Sequence, residues 1–200
     1  MLQPWPDVPL PDDKDRARAS VRALLRSTPP LRDPLAASRR LREFGVMPAR
    51  GRVGVYVTMS SETPLGWLSE PESAGRVAYV RCRDDGNLEL VAWDGVTPMQ
   101  KDAGGVMAPG GDALVAPSEL GAVLVPGLAF DPTGGRLGRG RGFYDRALAQ
   151  WDHALRVAVT REARLFSRVP TAPHDQPVDV VVTEERVHWT GARGLRGPGR

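Results

Sequence analysis

The sequence is poor in cysteine and has no long apolar run. Its single cysteine, Cys82, can form no internal disulfide, which excludes a disulfide-stabilised secreted scaffold and a cysteine-rich zinc site. Nowhere do about eighteen apolar residues follow one another, and the first thirty residues hold four aspartates among prolines instead of an apolar segment. We therefore expect a cytoplasmic protein with neither a membrane span nor an export signal.

Lysine is also scarce, since it occurs only at Lys14 and Lys101. Arginine carries nearly all of the positive charge, and its planar guanidinium pairs well with phosphates and carboxylates, which suits an anionic ligand. The pI is near 9.5, but the net charge is only +3 and acidic residues are interspersed with basic ones. The charge balance therefore gives little support for a nucleic-acid partner.

The composition is that of one globular domain. Two hundred residues, 41% of them hydrophobic and 26% charged, are enough to bury one sizeable core. Short apolar segments alternate with helical patterns, which predicts an α/β fold: a single-domain three-layer sandwich with a mostly parallel central sheet and helices on both faces. We expect an irregular, proline-rich lead-in over residues 1–11, the domain over 12–188, and a disordered Gly/Arg-rich tail over 189–200.

Periodicity and capping residues locate the individual elements. The predicted helices cover residues 12–25, 35–44 and 143–151. The predicted strands cover residues 53–57, 77–80, 88–93, 122–125, 156–159 and 178–182. Residues 62–70 are expected to be a loop entering a short helix, and the Gly/Pro-rich residues 94–118 an irregular excursion over the surface.

The most informative segment runs from Leu124 to Asp145, where a strand ends, glycine becomes dense and a helix begins. Glycines and arginines alternate in it: Arg136, Gly138, Arg139, Gly140, Arg141, Gly142. The glycines let the backbone turn tightly and present N–H groups, while the arginines and the start of the helix supply positive charge. Together these features predict an anion-binding loop.

Two other interpretations of this loop remain open from the residues alone. It matches neither the Walker A pattern nor the G-x-G-x-x-G dinucleotide pattern, so it could be a Gly/Arg-rich connection without a ligand. It could also be an RNA-binding tract, although such tracts occur in repetitive disordered segments and this one lies between an apolar strand and an apolar helix.

The string VPGLAFDPTGGRLGRGRGFYD, residues 125–145, resembles the signature of the 5-formyltetrahydrofolate cyclo-ligase family, whose members are also called methenyltetrahydrofolate synthetases. Near the N-terminus, Lys14 and Arg18 reproduce the family's Lys-x-x-x-Arg spacing. On a helix this spacing places both cations on one face, although such a pair by itself could be a solvated helix face.

Two more segments fit the same family in the right order. The segment VYVTMSSE, ending at Glu62, resembles the one in which a strand delivers a glutamate to the folate. The segment VPTAPHDQPVDVVVTE, residues 169–184, resembles the closing motif, in which Asp175 stands four residues before Asp179. The resemblance spans residues 14–185.

This resemblance implies an ATP-dependent ligase that converts 5-formyltetrahydrofolate to 5,10-methenyltetrahydrofolate with release of ADP and phosphate. In the family, ATP phosphorylates the N5-formyl oxygen, N10 attacks the activated carbon, and phosphate leaves. Phosphoryl transfer depends on positioning and charge neutralisation, so a glycine loop, cations and Mg²⁺ are the expected parts. We expect a monomer that binds 5-formyltetrahydrofolate and ATP, and neither nucleic acid nor a membrane.

The family's site residues carry over to positions that match its motifs. The implied ATP contacts are Lys14, Arg18, Arg136, Leu137, Gly138, Arg139, Gly140, Arg141, Gly142, Phe143 and Tyr144, with Lys14 and Arg141 as the catalytic cations. The implied folate contacts are Val57, Glu62, Arg139, Gly140, Arg141, Gly142 and Phe143. The implied Mg²⁺ ligands are Asp145 and Asp175, since two carboxylates and phosphate oxygens suit a hard cation.

Several of these residues have simpler explanations. Asp145 could cap the start of a helix and Asp175 could initiate a turn. The three histidines, His153, His174 and His188, show no metal-ligand spacing, and no Ser/His/Asp arrangement can be argued. We therefore assign the histidines no catalytic part.

The sequence also departs from the family pattern. Arg141 stands where many members have lysine, which replaces a point donor by a fork, and Phe143 stands where tyrosine is common. The threonine that often follows the glutamate is not clear after Glu62, and Ala108 replaces the glutamate that usually precedes Pro109. These changes leave two alternatives: a related enzyme with another ATP-dependent phosphoryl-transfer substrate, or a noncatalytic basic binding protein.

Overall fold

A computed structural model describes residues 5–58, 62–65, 73, 75–195 and 197. The predicted loop and short helix over residues 62–70 fall mostly outside this described part. No helix within the described residues is long and apolar enough to cross a membrane.

The core of the molecule is a seven-stranded sheet. Its strands are β1 (Arg52–Val55), β2 (Val77–Cys82), β3 (Leu88–Val91), β6 (Leu120–Leu124), β9 (Leu155–Val159), β10 (Val180–Val182) and β11 (Val187–Trp189), in the order β11-β10-β9-β6-β1-β2-β3. The five inner strands are parallel, and the two edge strands, β3 and β11, pair antiparallel with their neighbours. The predicted mostly parallel sheet is confirmed.

Alternate residues of the inner strands face opposite layers of helix. On β6, Ala122 and Leu124 belong to one apolar cluster, which includes buried residues of helix α2 (Ala36–Glu43). Val123, between them, belongs to a second cluster with buried residues of helix α3 (Phe143–Gln150). This period of two puts one helix on each face of the sheet, so the three-layer prediction is also confirmed.

Helix α1 (Lys14–Ser27) begins where the sequence predicts. The Asp13 carboxylate accepts a hydrogen bond of 2.8 Å from the Arg16 amide, which caps the helix. Ala17 and Val21, one turn apart, are fully buried. They pack in a third apolar cluster against a small hairpin, β7 (Ala129–Phe130) and β8 (Arg136–Leu137). This packing lays α1 beside the glycine-rich loop that follows β8.

Two short hairpins were missed by the sequence analysis. Residues 94–118 are not a wholly irregular excursion, because they contain the antiparallel pair β4 (Met99–Lys101) and β5 (Met107–Pro109). The Asp102 carboxylate ties the turn between them to β2 by accepting hydrogen bonds from the Cys82 and Val106 amides, at 2.8 and 2.9 Å. Strands of two or three residues, such as β4, β5, β7 and β8, are too short to show a period in the sequence.

The described part of the predicted tail over residues 189–200 contacts the domain. Trp189 lies in β11, and Arg193 forms a two-pronged ion pair with Asp179, with contacts of 2.8 and 3.0 Å. Asp179 has no exposed side-chain surface. At the other end, the Trp5 indole donates to the Phe166 carbonyl at 2.7 Å. Both ends of the described chain are therefore packed on the domain.

Replacing Arg193 by alanine tests whether the C-terminal segment stabilises the fold. Arg193→Ala leaves the buried Asp179 carboxylate without its charge partner, so we expect the free energy of unfolding to fall by about 2 kcal/mol. Urea denaturation measures the change. Arg22→Ala, on the exposed face of α1, is the control and should change stability by less than about 0.5 kcal/mol. Equal stability of the two variants would contradict a stabilising role for Arg193.

Candidate functional site

A cleft of about 600 Å³ opens at the carboxyl ends of the parallel strands. Its walls include Tyr56 and Val57, which follow β1, and Pro126 and Gly127, which follow β6. Open α/β sheets bind their ligands at this edge, because loops that leave adjacent parallel strands converge there.

Every residue predicted as a site residue lines this one cleft. They are Lys14, Arg18, Val57, Glu62, Arg136, Leu137, Gly138, Arg139, Gly140, Arg141, Gly142, Phe143, Tyr144, Asp145 and Asp175. The two cations of α1 thus face the cleft, with side chains 29% and 15% exposed. Four segments that are far apart in the chain meet here. The sequence shows the order of these motifs along the chain but not that they are in contact.

The glycine-rich loop has a backbone that only glycine adopts readily. Gly140 has φ +104° and Gly142 has φ +66°, both in the region that disfavours side chains. A Cβ atom on Gly140 would also lie 3.2 Å from the Arg18 guanidinium carbon. Arg18 donates through Nε to the Gly138 carbonyl at 3.0 Å. The loop can therefore pass directly under Arg18 because residue 140 has no side chain.

Helix α3 begins at the end of this loop. Its N-cap is Gly142, so Asp145 is not the helix cap, and the first amides of the helix start beside the cleft. The positive end of the helix dipole and the α1 cations thus border the same cavity. This arrangement can bind a phosphate chain.

Three cations of the cleft are paired with three carboxylates of the cleft. The contacts are Lys14 Nζ to Asp175 Oδ2 at 2.5 Å, Arg136 Nη2 to Asp145 Oδ1 at 2.6 Å, and Arg139 Nη2 to Glu62 Oε1 at 3.1 Å. Pairing lowers the cost of holding these groups in a partly buried site. In each pair the hydrogen bond uses one carboxylate oxygen.

Ion pairing changes the pKa of Asp175. Burial by itself would raise the pKa of Asp175, but hydrogen bonds from Lys14 and from the Ala172 amide outweigh burial and hold this pKa below its ordinary value. The Ala172 bond also closes a turn, so the turn explanation of Asp175 holds beside its place in the cleft. The carboxylate is ionised at neutral pH.

Two carboxylates of the cleft are suited to Mg²⁺. Among the residues that the structure describes, no group of three or more His, Cys, Asp and Glu could hold a metal. A cation bound by Asp145 and Asp175 therefore needs further ligands from phosphate and water, as Mg²⁺ usually has. The donors are all oxygen, which fits this ion.

Glu62 lies in a partly buried cluster beside Arg139 of the loop. Its side chain is only 9% exposed, whereas its partner Arg139 is 46% exposed. Burial and the nearby Glu62 raise the pKa of Tyr56, so this phenol stays neutral. Arg164, which the sequence analysis missed, is buried beside them, interacts electrostatically with Glu62, and donates to the Gly127 carbonyl at 2.9 Å.

The aromatic residues of the loop are held by arginines. The Phe143 ring has the Arg141 and Arg146 guanidinium carbons 5.7 and 5.5 Å from its centroid. Arg146 also donates to the Gly86 carbonyl at 2.6 Å, which braces the loop against the turn after β2. The Tyr144 hydroxyl is buried and has no hydrogen-bond partner among the described residues.

Several other residues of the cleft wall were assigned no role from the sequence. They are Val80, Cys82, Leu88, Asp102, Gly104, Gly105, Val106, Pro126, Gly127, Ala172 and His174. Four of them belong to the turn between β4 and β5, where only the Gly-Gly pair marked a turn. His174 is 79% exposed, and its Nε2 lies 3.7 Å from Asp175 Oδ1.

Comparison with known sequences gives one family. The sequence model described as the 5-formyltetrahydrofolate cyclo-ligase family matches residues 13–184. The chain is 45% identical over 69 residues to the 5-formyltetrahydrofolate cyclo-ligase of Mycolicibacterium smegmatis, covering 34% of this chain and 36% of the relative. It is 39% identical over 72 residues to that of Escherichia coli K12, covering 35% and 40%. These alignments span about two fifths of each relative's length.

Comparison with solved structures covers nearly the whole chain. The 5,10-methenyltetrahydrofolate synthetase of Aquifex aeolicus superposes with a TM-score of 0.73 at 28% identity, over 94% of this chain and 96% of the other. The synthetase of Mycoplasma pneumoniae superposes with a TM-score of 0.66 over 86% and 99%, and at 16% identity it shows likeness of fold alone.

Removing the Lys14 charge tests the electrostatics of the cleft. In Lys14→Met, burial acts on Asp175 without its main counter-charge, so we expect the pKa of this carboxyl to rise from below its ordinary value of 3.8 to near or above it. A pH titration followed by the carboxyl ¹³C shift measures it. Arg26→Met, at the far end of α1, is the control. An unchanged Asp175 pKa in Lys14→Met would show that the ion pair is absent in solution.

Proposed function

The chain belongs to the 5-formyltetrahydrofolate cyclo-ligase family, and from that premise we propose that it converts 5-formyltetrahydrofolate and ATP to 5,10-methenyltetrahydrofolate, ADP and phosphate with Mg²⁺ as cofactor. The observation that carries this proposal is the convergence of all the predicted site residues on one cleft. The cleft holds the cationic glycine loop and the partly buried Glu62, which suits a phosphate chain next to a second ligand.

ATP solves a leaving-group problem in this reaction. The formyl oxygen leaves poorly as hydroxide or water, but it leaves readily once it carries a phosphoryl group. In the proposed sequence the formyl oxygen attacks the γ-phosphorus and ADP departs. N10 then attacks the formyl carbon and loses its proton, and the C–O bond breaks to release phosphate. The protein must therefore hold the γ-phosphate and the formyl group next to each other.

The phosphate chain is proposed to lie between the glycine loop and α1. Amides at the start of α3 can donate to its oxygens, and Lys14, Arg18 and Arg141 can neutralise its charge. Positioned cations of this kind supply most of the catalysis in phosphoryl transfer. Lys14 and Arg141 are our candidates for the cations nearest the transferred group.

Asp145 and Asp175 are the proposed ligands of Mg²⁺. When bound, the ion neutralises negative charge on the phosphates. Hydrogen bonds anchor one oxygen of each carboxylate: Oδ1 of Asp145 to Arg136, and Oδ2 of Asp175 to Lys14. This anchoring orients the carboxylates before any ligand arrives.

The folate is proposed to contact Val57, Glu62 and the loop segment from Arg139 to Phe143. The Glu62 carboxylate accepts hydrogen bonds and is shielded from solvent, which suits the N–H groups of a pterin ring. The Phe143 ring offers an apolar face of the cleft. The expectations of a cytoplasmic monomer without a nucleic-acid or membrane partner stay predictions.

Turnover and the metal ligand can be tested together. Purified protein is mixed with 5-formyltetrahydrofolate, Mg²⁺ and ATP, and the near-ultraviolet absorbance of the methenyl product is followed, with an ATP-free control. We expect an ATP-dependent rise, and a loss of at least about a hundredfold in kcat for Asp145→Asn, because the neutral amide is a much weaker Mg²⁺ ligand. Asp84→Asn, an exposed carboxylate away from the cleft, is the matched control.

The outcomes of this assay separate the parts of the proposal. No rise with the parent protein, while ATP still binds, would move the assignment to a related enzyme with another substrate. An active Asp145→Asn variant with unchanged metal dependence would remove Asp145 from the metal site but leave the reaction standing.

Glu62→Gln tests the folate side of the cleft. The amide keeps the shape but loses the charge that strengthens hydrogen bonds from the substrate, so we expect the KM for 5-formyltetrahydrofolate to rise about tenfold or more. The KM for ATP should stay within about twofold. Glu185→Gln, on the surface, is the control. A variant impaired only in its KM for ATP would contradict the placement of the folate.

A further inference from the structure

Arg156 is a charged residue in the middle of the protein. It belongs to β9, among valines and an alanine, and is only 2% exposed. Its strand neighbours alternate between the two apolar clusters, and Arg156 lies on the side of Ala158, which faces α3. A buried guanidinium is costly unless its donors are bonded, so its hydrogen bonds indicate what it does.

The guanidinium joins two segments that are not adjacent in the sequence. Nη2 donates to the Leu148 carbonyl in the last turn of α3, at 2.6 Å. Nη1 donates to Gln176 Oε1 at 3.1 Å and to the Pro177 carbonyl at 3.3 Å. Arg156 thus links the end of α3 to the segment just before β10.

The same two segments carry the carboxylates of the cleft. Asp145 lies in the first turn of α3, and its Oδ1 accepts a hydrogen bond of 3.1 Å from the Gln176 amide. Asp175 directly precedes Gln176. These contacts form a closed frame: Arg156 bonds to Gln176, Gln176 bonds to Asp145, and α3 leads from Asp145 to Leu148, which bonds to Arg156. Asp145 and Asp175 lie on the cleft side of this frame.

We propose that Arg156 is a positioning residue that sets the spacing of Asp145 and Asp175 from behind the cleft. It is not among the residues that line the cavity, so it acts through Gln176 and α3. This inference rests on the proposed function, because it takes these carboxylates as the Mg²⁺ ligands. Residues behind metal ligands often change metal affinity by about 10- to 100-fold when replaced.

A purely structural role for Arg156 makes a different prediction. In that case the guanidinium bonds to the Leu148 and Pro177 carbonyls only hold α3 against the chain before β10. Loss of such a role would lower stability and affect all ligands alike. Loss of positioning would affect the metal selectively.

The experiment measures ATP binding by calorimetry with and without Mg²⁺. In the parent protein, the ratio of the ATP affinity with Mg²⁺ to the ATP affinity without Mg²⁺ measures how much the bound metal contributes. We expect Arg156→Lys, which cannot reach all three acceptors, and Gln176→Leu, which removes one of them, to reduce this ratio about tenfold. Binding without Mg²⁺ and binding of 5-formyltetrahydrofolate should stay within about twofold. Gln176→Glu, which keeps an acceptor for Arg156 and adds a negative charge near the proposed metal site, should not lower the ratio.

A second buried arginine is the matched control. Arg186→Lys alters a guanidinium that pairs with Glu162, outside the residues lining the cleft, and should leave the ratio unchanged. If Arg156→Lys fails to fold, Gln176→Leu tests the inference by itself. It removes the bond to Arg156 but keeps the backbone amide that donates to Asp145.

Two results would overturn the inference in distinguishable ways. If the parent ratio depends on Mg²⁺ but Arg156→Lys and Gln176→Leu keep it, Arg156 has no positioning role and the proposed function stands. If the parent binds ATP equally with and without Mg²⁺, the metal assignment in the proposed function fails and this inference fails with it.

Discussion

The glycine-rich loop lies directly under the Arg18 guanidinium, where a side chain on residue 140 would crowd it. A Cβ atom there would lie 3.2 Å from the guanidinium carbon, and the backbone at Gly140 and Gly142 has positive φ. This close approach brings the cations of α1 to the loop and aims the start of α3 at the same cavity. The apolar contact of α1 with the hairpin before the loop fixes the distance between α1 and the loop.

Charge pairing is the second constraint on the cleft. The cations that would bind phosphate are paired, in the free protein, with the carboxylates that would bind the metal or the folate. The site can thus collect many charges in a partly buried place at low cost to stability. When nucleotide and metal bind, the phosphates would take the place of the carboxylates beside the cations. The metal would take the place of the cations beside the carboxylates.

Elements with long apolar segments or capping residues can be located from the sequence. Helix α1 follows its Asp13 cap, and the inner strands follow their valine-rich segments. The hairpin of β4 and β5 was missed because each strand is three residues long and its turn is tied to the distant Cys82 amide by the turn residue Asp102. Strand β11 was missed because it pairs at an edge and lies next to a Gly/Arg-rich end. Arg156 and Arg164 gave no signal, because an arginine in a sequence does not reveal that its side chain is buried.

The sequence by itself determined the loop, its family resemblance and the chemical types of the site residues, because glycine spacing and charge are properties of neighbouring positions. Only the tertiary structure decided which of these groups meet. Lys14 and Asp175 are 161 positions apart, and Arg139 and Glu62 are 77 apart, yet each pair is in contact. Such contacts follow from the strand order, in which parallel strands carry distant loops to one edge of the sheet, and no local pattern encodes that order.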